Sequence, residues 1–208
     1  MLKTFSGRAA SQNEFELRSF IGLLQSEGVR RYCEIGSRHG DTFHEVMINL
    51  PKGSVGVAND LPGGLWGQKN TDVCLRRVER DLERRGYKAS RLIGNSQGDA
   101  TYDLIVGRGP YDAILIDGDH TYAGVKADWE RYRGLAPMIA FHDIVGQGQH
   151  EKVTNREVEV PVLWAEIKAA GYVTREFIAP GSKMGIGVVW PATLPKTQME
   201  SQNEIQSW

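Results

Sequence analysis

The sequence has few cysteines and no long apolar run. Its 208 residues include two cysteines, Cys33 and Cys74, too few for a disulfide framework, and we expect both to be small core residues. No segment reaches the roughly 18 to 20 consecutive apolar residues that a membrane span needs, and the N-terminal stretch lacks the apolar core of a signal peptide. The sequence therefore predicts a cytoplasmic protein with no membrane partner.

The chain also lacks a charge excess. It carries 25 basic and 26 acidic residues, for a formal net charge of -1, so no overall field would attract nucleic acid. The run RRVERDLERR (76–85) alternates arginines with acidic residues, which is typical of a solvated helix face. We expect no nucleic-acid partner.

Three ligand-binding motifs are missing: G-x-G-x-x-G, the P-loop and H-E-x-x-H. The first glycine turn reads EIGSRHG, with Gly36 and Gly40 but without the third glycine that lets a backbone approach a pyrophosphate. This argues against a dinucleotide. The wider turn after an acidic strand end suits a nucleoside with a cationic amino-acid arm, although a plain strand-to-helix turn remains the alternative.

Short apolar runs alternate with segments of helical period, which predicts an α/β sheet. The predicted strands are RRYCEIG, GSVGVAND, KASRLIGNS, YDAILIDGD, PMIAFHDI, YVTREFI and GIGVVW. We expect an N-terminal helical segment over 1–29 with Ser11 as its cap, one domain over 30–191, and a polar, poorly ordered tail over 192–208.

Polar residues follow the apolar runs where five predicted strands end. In open α/β sheets, ligands bind beyond these carboxyl ends. The residues are Glu34, Gly36, Ser37 and Gly40, then Asn59 and Asp60, then Asn95 and Ser96, then Asp117 to His120, and finally His142 and Asp143. We expect them to surround one ligand site.

The chemistry of these side chains suggests which part of a ligand each could contact. Glu34 offers negative charge to a cationic arm, Asp60 can accept two ribose hydroxyls, and Asn95 with Ser96 can meet an adenine edge. Without a metal, His120 or His142 is the natural general base, because imidazole titrates near neutral pH. The alternative to a catalytic role for the segment DGDH (117–120) is a turn in which Asp119 or Thr121 caps the next helix.

The sequence gives less support for a functional role of three other histidines and two loops. His39 lies in the glycine turn, where it could meet a cofactor carboxylate, whereas we read His44 and His150 as surface residues. The loops LPGGLWG, with Trp66, and VGQGQHEKVTNREVEV (145–160) are long for simple connections and could cover an acceptor.

Two blocks carry a family resemblance over residues 30–190. YCEIGSRHGDTF and YDAILIDGDHTYAGVKADWERYRGLAPMIAFHDI resemble the class I S-adenosylmethionine-dependent methyltransferases, in the branch of cephalosporin hydroxylase-like, macrolide-sugar and catechol-type O-methyltransferases. The resemblance implies a Rossmann-like, seven-stranded, mostly parallel sheet with helices on both faces and the last strand antiparallel. It implies cofactor contacts at Glu34, Gly36, Ser37, Gly40, Asp60, Ser96 and Asp117.

The resemblance also implies a divalent metal, because some members bind one at the ends of the fourth and fifth strands. The matching positions are Asp117, His142 and Asp143. Mg²⁺ or Mn²⁺ there would lower the pKa of an acceptor hydroxyl and align it with the cofactor methyl. His142 departs from the family's pattern, since the two metal ligands at the end of the fifth strand are usually carboxylate or amide side chains.

The function expected from the resemblance is O-methylation of a small hydroxylated acceptor, a sugar or a natural-product intermediate. The chain has no [DN]-P-P-[YF] stretch, the signature of exocyclic-amine methylation on nucleobases. Two alternatives stay open: a non-catalytic S-adenosylmethionine-binding protein and a nicotinamide-dependent reductase. A homo-oligomer also stays open.

Overall fold

A seven-stranded sheet organises the part of the chain that the computed structural model describes, which is residue 5 and residues 12–63, 70–146 and 157–193. The strands are β1 (Arg31–Ile35), β2 (Val55–Asp60), β3 (Lys88–Ile93), β4 (Ala113–Ile116), β5 (Met138–His142), β6 (Val173–Phe177) and β7 (Ile186–Trp190). Their order is β3-β2-β1-β4-β5-β7-β6, and β7 alone runs opposite to the other six strands. The predicted sheet is confirmed.

Six helices in the described ranges cover both faces of the sheet. They are α1 (Glu14–Ser26), α2 (Asp41–Asn49), α3 (Thr71–Arg84), α4 (Asp99–Val106), α5 (Tyr122–Tyr132) and α6 (Val160–Ala169). Helices α1, α2 and α3 pack in one apolar cluster, and α4, α5 and α6 pack in the other. Successive strand side chains alternate between the clusters: Tyr32 joins the first and Cys33 the second. This two-sided burial explains why the central strands are continuously apolar.

Helix α1 begins later than the sequence predicted. Its cap is Asn13, whose Oδ1 accepts a hydrogen bond from Phe15 N at 2.9 Å, and the predicted cap, Ser11, lies outside the described residues. An asparagine cap satisfies a first-turn amide as well as a serine does. The helix packs in the same core as the strands through Leu17, Phe20 and Leu24.

His44 is buried, so its assignment to the surface was wrong. It lies on α2, and its Nε2 is 2.9 Å from Asp81 Oδ2 on α3. Asp81 also pairs with Arg84 and Arg85. Burial opposes ionisation of Asp81, but these hydrogen bonds outweigh it and lower its pKa to about 2.

Other sequence assignments fall outside the described ranges. These are the loop around Trp66, most of the loop 145–160 with His150, and most of the tail 192–208. In the ranges that are described, none of the helices combines the length and apolar character needed to cross a membrane.

Glu16 anchors α1 to the segment between β6 and β7. Its side chain is fully buried, and its two carboxylate oxygens accept hydrogen bonds from Ala179 N and Gly185 N, each at 3.0 Å. Hydrogen bonds to a charged acceptor are stronger than neutral ones. The N-terminal helix is thereby fixed beside Met184, which lines the cavity described below.

We expect Glu16→Ala to lower the free energy of unfolding by about 2–5 kcal/mol, because two buried amides lose their acceptor. Urea unfolding followed by circular dichroism would measure this. The control is Glu27→Gln at the exposed end of α1, which should stay within about 0.5 kcal/mol of wild type. Equal stabilities for the two variants would contradict the anchoring role.

Candidate functional site

A cavity of about 360 Å³ opens beyond the carboxyl ends of the parallel strands. The strand order reverses between β1 and β4, and this is where open α/β sheets bind ligands. Of the fourteen residues expected to surround the site, thirteen line the cavity: Glu34, Gly36, Ser37, Asn59, Asp60, Asn95, Ser96, Asp117, Gly118, Asp119, His120, His142 and Asp143. The fourteenth, Gly40, does not line it.

Gly40 serves helix packing. It precedes α2 with φ of 80°, and a Cβ there would lie 2.8 Å from Leu75 Cδ2 and 3.0 Å from Val78 Cγ2 on α3. A side chain at this position would force the buried Leu75 and Val78 side chains to shift. The two glycines of the turn therefore have different roles: Gly40 allows helix packing, and only Gly36 concerns the cavity.

Gly36 allows the ends of β1 and β4 to touch. Its φ is 89°, and a Cβ there would lie 2.1 Å from the carbonyl oxygen of Asp117. The amides of Gly36 and Ser37 both donate to the carbonyl of Asn59 at the end of β2, at 2.9 Å. Three strand ends are thus held together around the cavity.

Two buried carboxyl groups line the cavity on the β1–β2 side. Glu34 is 1% exposed, and burial raises its pKa to about 8 although the Tyr32 hydroxyl donates to it at 2.9 Å. Burial also raises the pKa of Asp60. The backbone amide of Arg38 donates to Asp60 Oδ2 at 2.6 Å, which lowers this pKa by less than burial raises it. Both groups would be stabilised by a cationic ligand.

On the β4–β5 side, two carboxylates and two imidazoles form what we call the Asp–His cluster (Asp117, His120, His142 and Asp143). Asp117 Oδ1 lies 3.3 Å from His120 Nε2 and 3.3 Å from His142 Nδ1. Asp143 Oδ2 lies 3.3 Å from His120 Nδ1, and its Oδ1 lies 3.3 Å from His142 Nδ1. Opposite charges alternate around the cluster when the imidazoles are protonated.

The cluster shifts the pKa values of its members in opposite directions. Burial opposes ionisation of Asp117, but His142 and His120 outweigh it and hold the Asp117 pKa well below its usual range. Burial also disfavours the imidazolium form of both histidines. The two aspartates outweigh that effect, so the pKa values of His120 and His142 are raised.

The predicted metal ligands Asp117, His142 and Asp143 come together beyond the ends of β4 and β5. Within residues 12–63, 70–146 and 157–193, no group of three or more His, Cys, Asp or Glu side chains is arranged to hold a metal ion. The imidazole nitrogens of His120 and His142 instead face the carboxylate oxygens. His142 Nε2 is buried and has no hydrogen-bond partner among the described residues.

The DGDH turn (residues 117–120) leads into the cap of α5 and also lines the cavity. Thr121 caps α5, because its Oγ1 accepts a hydrogen bond from Gly124 N at 3.1 Å. Asp119 Oδ1 in turn accepts from Thr121 N at 2.9 Å. Asp119 and His120 both line the cavity, so the turn begins a helix and contributes side chains to the site.

Sequence reasoning missed Gln12, which lines the cavity, and Asp128, which contacts a lining residue. Gln12 Nε2 donates to Asp117 Oδ2 at 3.0 Å, across 105 residues of sequence, and no local pattern marks it. Asp128 Oδ1 accepts from Ser96 Oγ at 2.8 Å. The sequence did contain a sign of Asp128, because it is an acidic residue on the otherwise apolar buried face of α5.

The sequence matches no family model and no curated protein. Solved structures do resemble it. An O-methyltransferase from Bacillus cereus in complex with SAH has a TM-score of 0.64 at 18% identity, covering 88% of this chain and 84% of that one. The O-methyltransferase TomG from Streptomyces achromogenes, in complex with SAM, has a TM-score of 0.60 at 11% identity, covering 86% and 81%. The methyltransferase domain of bacterial CtHen1 has a TM-score of 0.58 at 12% identity, covering 86% and 98%.

These likenesses define the class of fold. The strand order, the inverted β7 and the neighbours together show the class I methyltransferase fold that the resemblance implied. Among the similar structures, the O-methyltransferases match the branch indicated by the sequence.

We expect Glu34→Gln to flatten the pH dependence of stability between pH 4.5 and 8. The folded-state pKa of Glu34 is raised from 4.5 to about 8, so only the unfolded chain ionises this group in that window. Wild-type stability should fall as pH rises, by at most about 1.4 kcal/mol per pH unit. Urea unfolding across pH 4–9 would measure it, with the exposed Glu83→Gln as control. Parallel profiles for wild type and Glu34→Gln would contradict the shift.

Proposed function

We propose that this protein binds S-adenosylmethionine and transfers its methyl group to a hydroxyl oxygen of a small acceptor. The observation that carries the proposal is the cavity at the point where strand order reverses, lined by acidic, amide and imidazole side chains. The acceptor class of sugars and natural-product intermediates rests on the sequence resemblance. A cytoplasmic location and the exclusion of nucleic-acid acceptors belong to the same proposal.

The cofactor would occupy the β1–β2–β3 side of the cavity. Asp60 ends β2, where a carboxylate can accept two ribose hydroxyls, while Glu34, Gly36 and Ser37 lie at the end of β1. Ser96 lies beyond β3, beside the proposed adenine position. When bound, the cofactor supplies an electrophilic methyl group on a sulfonium, whose positive charge suits the acidic surroundings.

The solved neighbours support this choice of cofactor. The Bacillus cereus O-methyltransferase is in complex with SAH, and TomG is in complex with SAM. The nicotinamide alternative has weaker support, since the first turn lacks the third glycine of a dinucleotide fingerprint. Titration with NADH and NADPH would reveal it directly.

We assign the removal of the acceptor proton to the Asp–His cluster. The His120 side chain is 14% exposed and that of His142 is 6% exposed, so His120 is the more accessible to an acceptor. Its Nε2 lies 3.3 Å from Asp117 Oδ1 and its Nδ1 lies 3.3 Å from Asp143 Oδ2, so one of these contacts has to open before that nitrogen can take the acceptor's proton. Because those carboxylates raise the His120 pKa, the neutral, basic form gains population as pH rises, and activity should increase with it.

Metal assistance has less support than the imidazole mechanism. The donor set of Asp117, His142 and Asp143 mixes carboxylates with an imidazole, and Mg²⁺ prefers oxygen ligands. In the structure the imidazoles already offset the two carboxylates. We therefore propose that methyl transfer persists in EDTA, and a requirement for added Mg²⁺ or Mn²⁺ would refute this part.

We expect His120→Gln to lower kcat by about 10²- to 10⁴-fold, which is the usual contribution of a general base. Glutamine keeps polar atoms in the cavity, so the affinity for S-adenosylhomocysteine should change by less than about fivefold. The measurements are transfer of labelled methyl groups to a panel of hydroxylated acceptors and calorimetric titration with S-adenosylhomocysteine. A fully active His120→Gln protein would remove His120 from the mechanism.

The pH profile offers a second check on the same assignment. In Asp143→Asn, one of the carboxylates that raises the His120 pKa is removed, so the rising limb of the profile should move to lower pH. Tight cofactor binding by wild type with no transfer to any acceptor would favour the non-catalytic alternative. Absence of cofactor binding would refute the proposed function altogether.

A further inference from the structure

Asp128 is an acidic residue at a position that the packing would give to an apolar one. It lies on the buried stripe of α5 between Val125 and Tyr132, beside Trp129, and its side chain is 0% exposed. One carboxylate oxygen, Oδ1, accepts a hydrogen bond from Ser96, and Oδ2 has no hydrogen-bond partner among the described residues. A buried carboxylate so poorly satisfied costs stability, which suggests a use other than packing.

The partner of Asp128 belongs to the cavity wall. Ser96 lies in the segment 94–97 that follows β3, and every residue of this segment lines the cavity. Helix α5 holds the segment at two further points: the Tyr132 hydroxyl donates to Ser96 O at 2.6 Å, and Gln97 Nε2 donates to Gly124 O at 3.4 Å. The position of Ser96 is therefore set by α5.

The hydrogen bond to Asp128 also sets what Ser96 can offer a ligand. A serine hydroxyl has one donor hydrogen and two acceptor lone pairs. An ionised Asp128 can only accept, so the single hydrogen of Ser96 Oγ points to Asp128 Oδ1 at 2.8 Å. Towards the cavity the hydroxyl then presents acceptor lone pairs alone.

We propose that ionised Asp128 is a positioning residue that makes Ser96 a hydrogen-bond acceptor towards the cavity and thereby selects a ligand with a donor group at this point. Given the proposed function, on which this inference rests, the donor is the 6-amino group of adenine. A 6-oxo purine would place its carbonyl oxygen, an acceptor, against the acceptor lone pairs of Ser96, and such a mismatch weakens binding.

The test compares S-adenosylhomocysteine with S-inosylhomocysteine, which differs in carrying 6-oxo in place of 6-amino. Burial, reinforced by Asp119, raises the Asp128 pKa to about 7, so calorimetric titrations at pH 8.5 keep the group ionised. We expect wild type to prefer the amino ligand by on the order of tenfold or more. In Asp128→Leu the Ser96 hydroxyl can rotate and donate, so the preference should fall to within about twofold.

Companion variants separate positioning from structure. Ser96→Ala should lose the same preference, and the double variant Asp128→Leu, Ser96→Ala should lose no more than either single one. Leucine suits the apolar stripe of α5, so the melting temperature of Asp128→Leu should not fall. Glu130→Gln removes an exposed acidic residue of the same helix and should keep the wild-type preference.

The outcomes distinguish this inference from the proposed function. Wild type that binds neither ligand overturns both. If wild type prefers the amino ligand and Asp128→Leu keeps the same preference as wild type, the role of Asp128 is overturned and the proposed function stands. Should Asp128→Leu fail to fold, Ser96→Ala decides, because an unchanged preference there removes the acceptor on which Asp128 acts.

Discussion

Gly36 and the carbonyl of Asp117 lie so close that a Cβ on Gly36 would be 2.1 Å from the carbonyl oxygen. This contact brings the ends of β1 and β4 together at the point where the strand order reverses. Ser37 and Asn59 join the same arrangement through backbone hydrogen bonds. The cavity depends on it, because any larger residue at position 36 would separate the two halves of the sheet edge that form its walls.

Electrostatics divides that cavity into two unlike sides. Glu34 and Asp60 are buried acids whose pKa values are raised, so this side is stabilised by a positively charged ligand. Across the cavity, Asp117 has its charge offset by His120 and His142, which are cationic when protonated. The proposed methyl transfer would use this division, with the sulfonium cofactor on one side and the proton acceptor on the other.

Helix α5 connects the two sides. It begins directly after the turn that contributes Asp119 and His120, and its buried face holds the segment after β3 through Asp128 and Tyr132. The same helix also supplies core residues such as Trp129. The proposed reaction centre and the proposed nucleoside position are thus both fixed by one helix, which favours precise placement of both.

The sequence by itself determined the strands, the helices and the strand ends that line the cavity, because hydrophobic period and strand-to-helix turns are patterns within short segments. Strand ends named from those patterns line the cavity, among them Glu34 and Asp117. Tertiary structure alone decided the residues whose partners are distant in sequence: Gln12 reaches Asp117 across 105 residues, and His44 meets Asp81 across 37. Such pairings depend on how helices pack on the sheet, which no local pattern encodes.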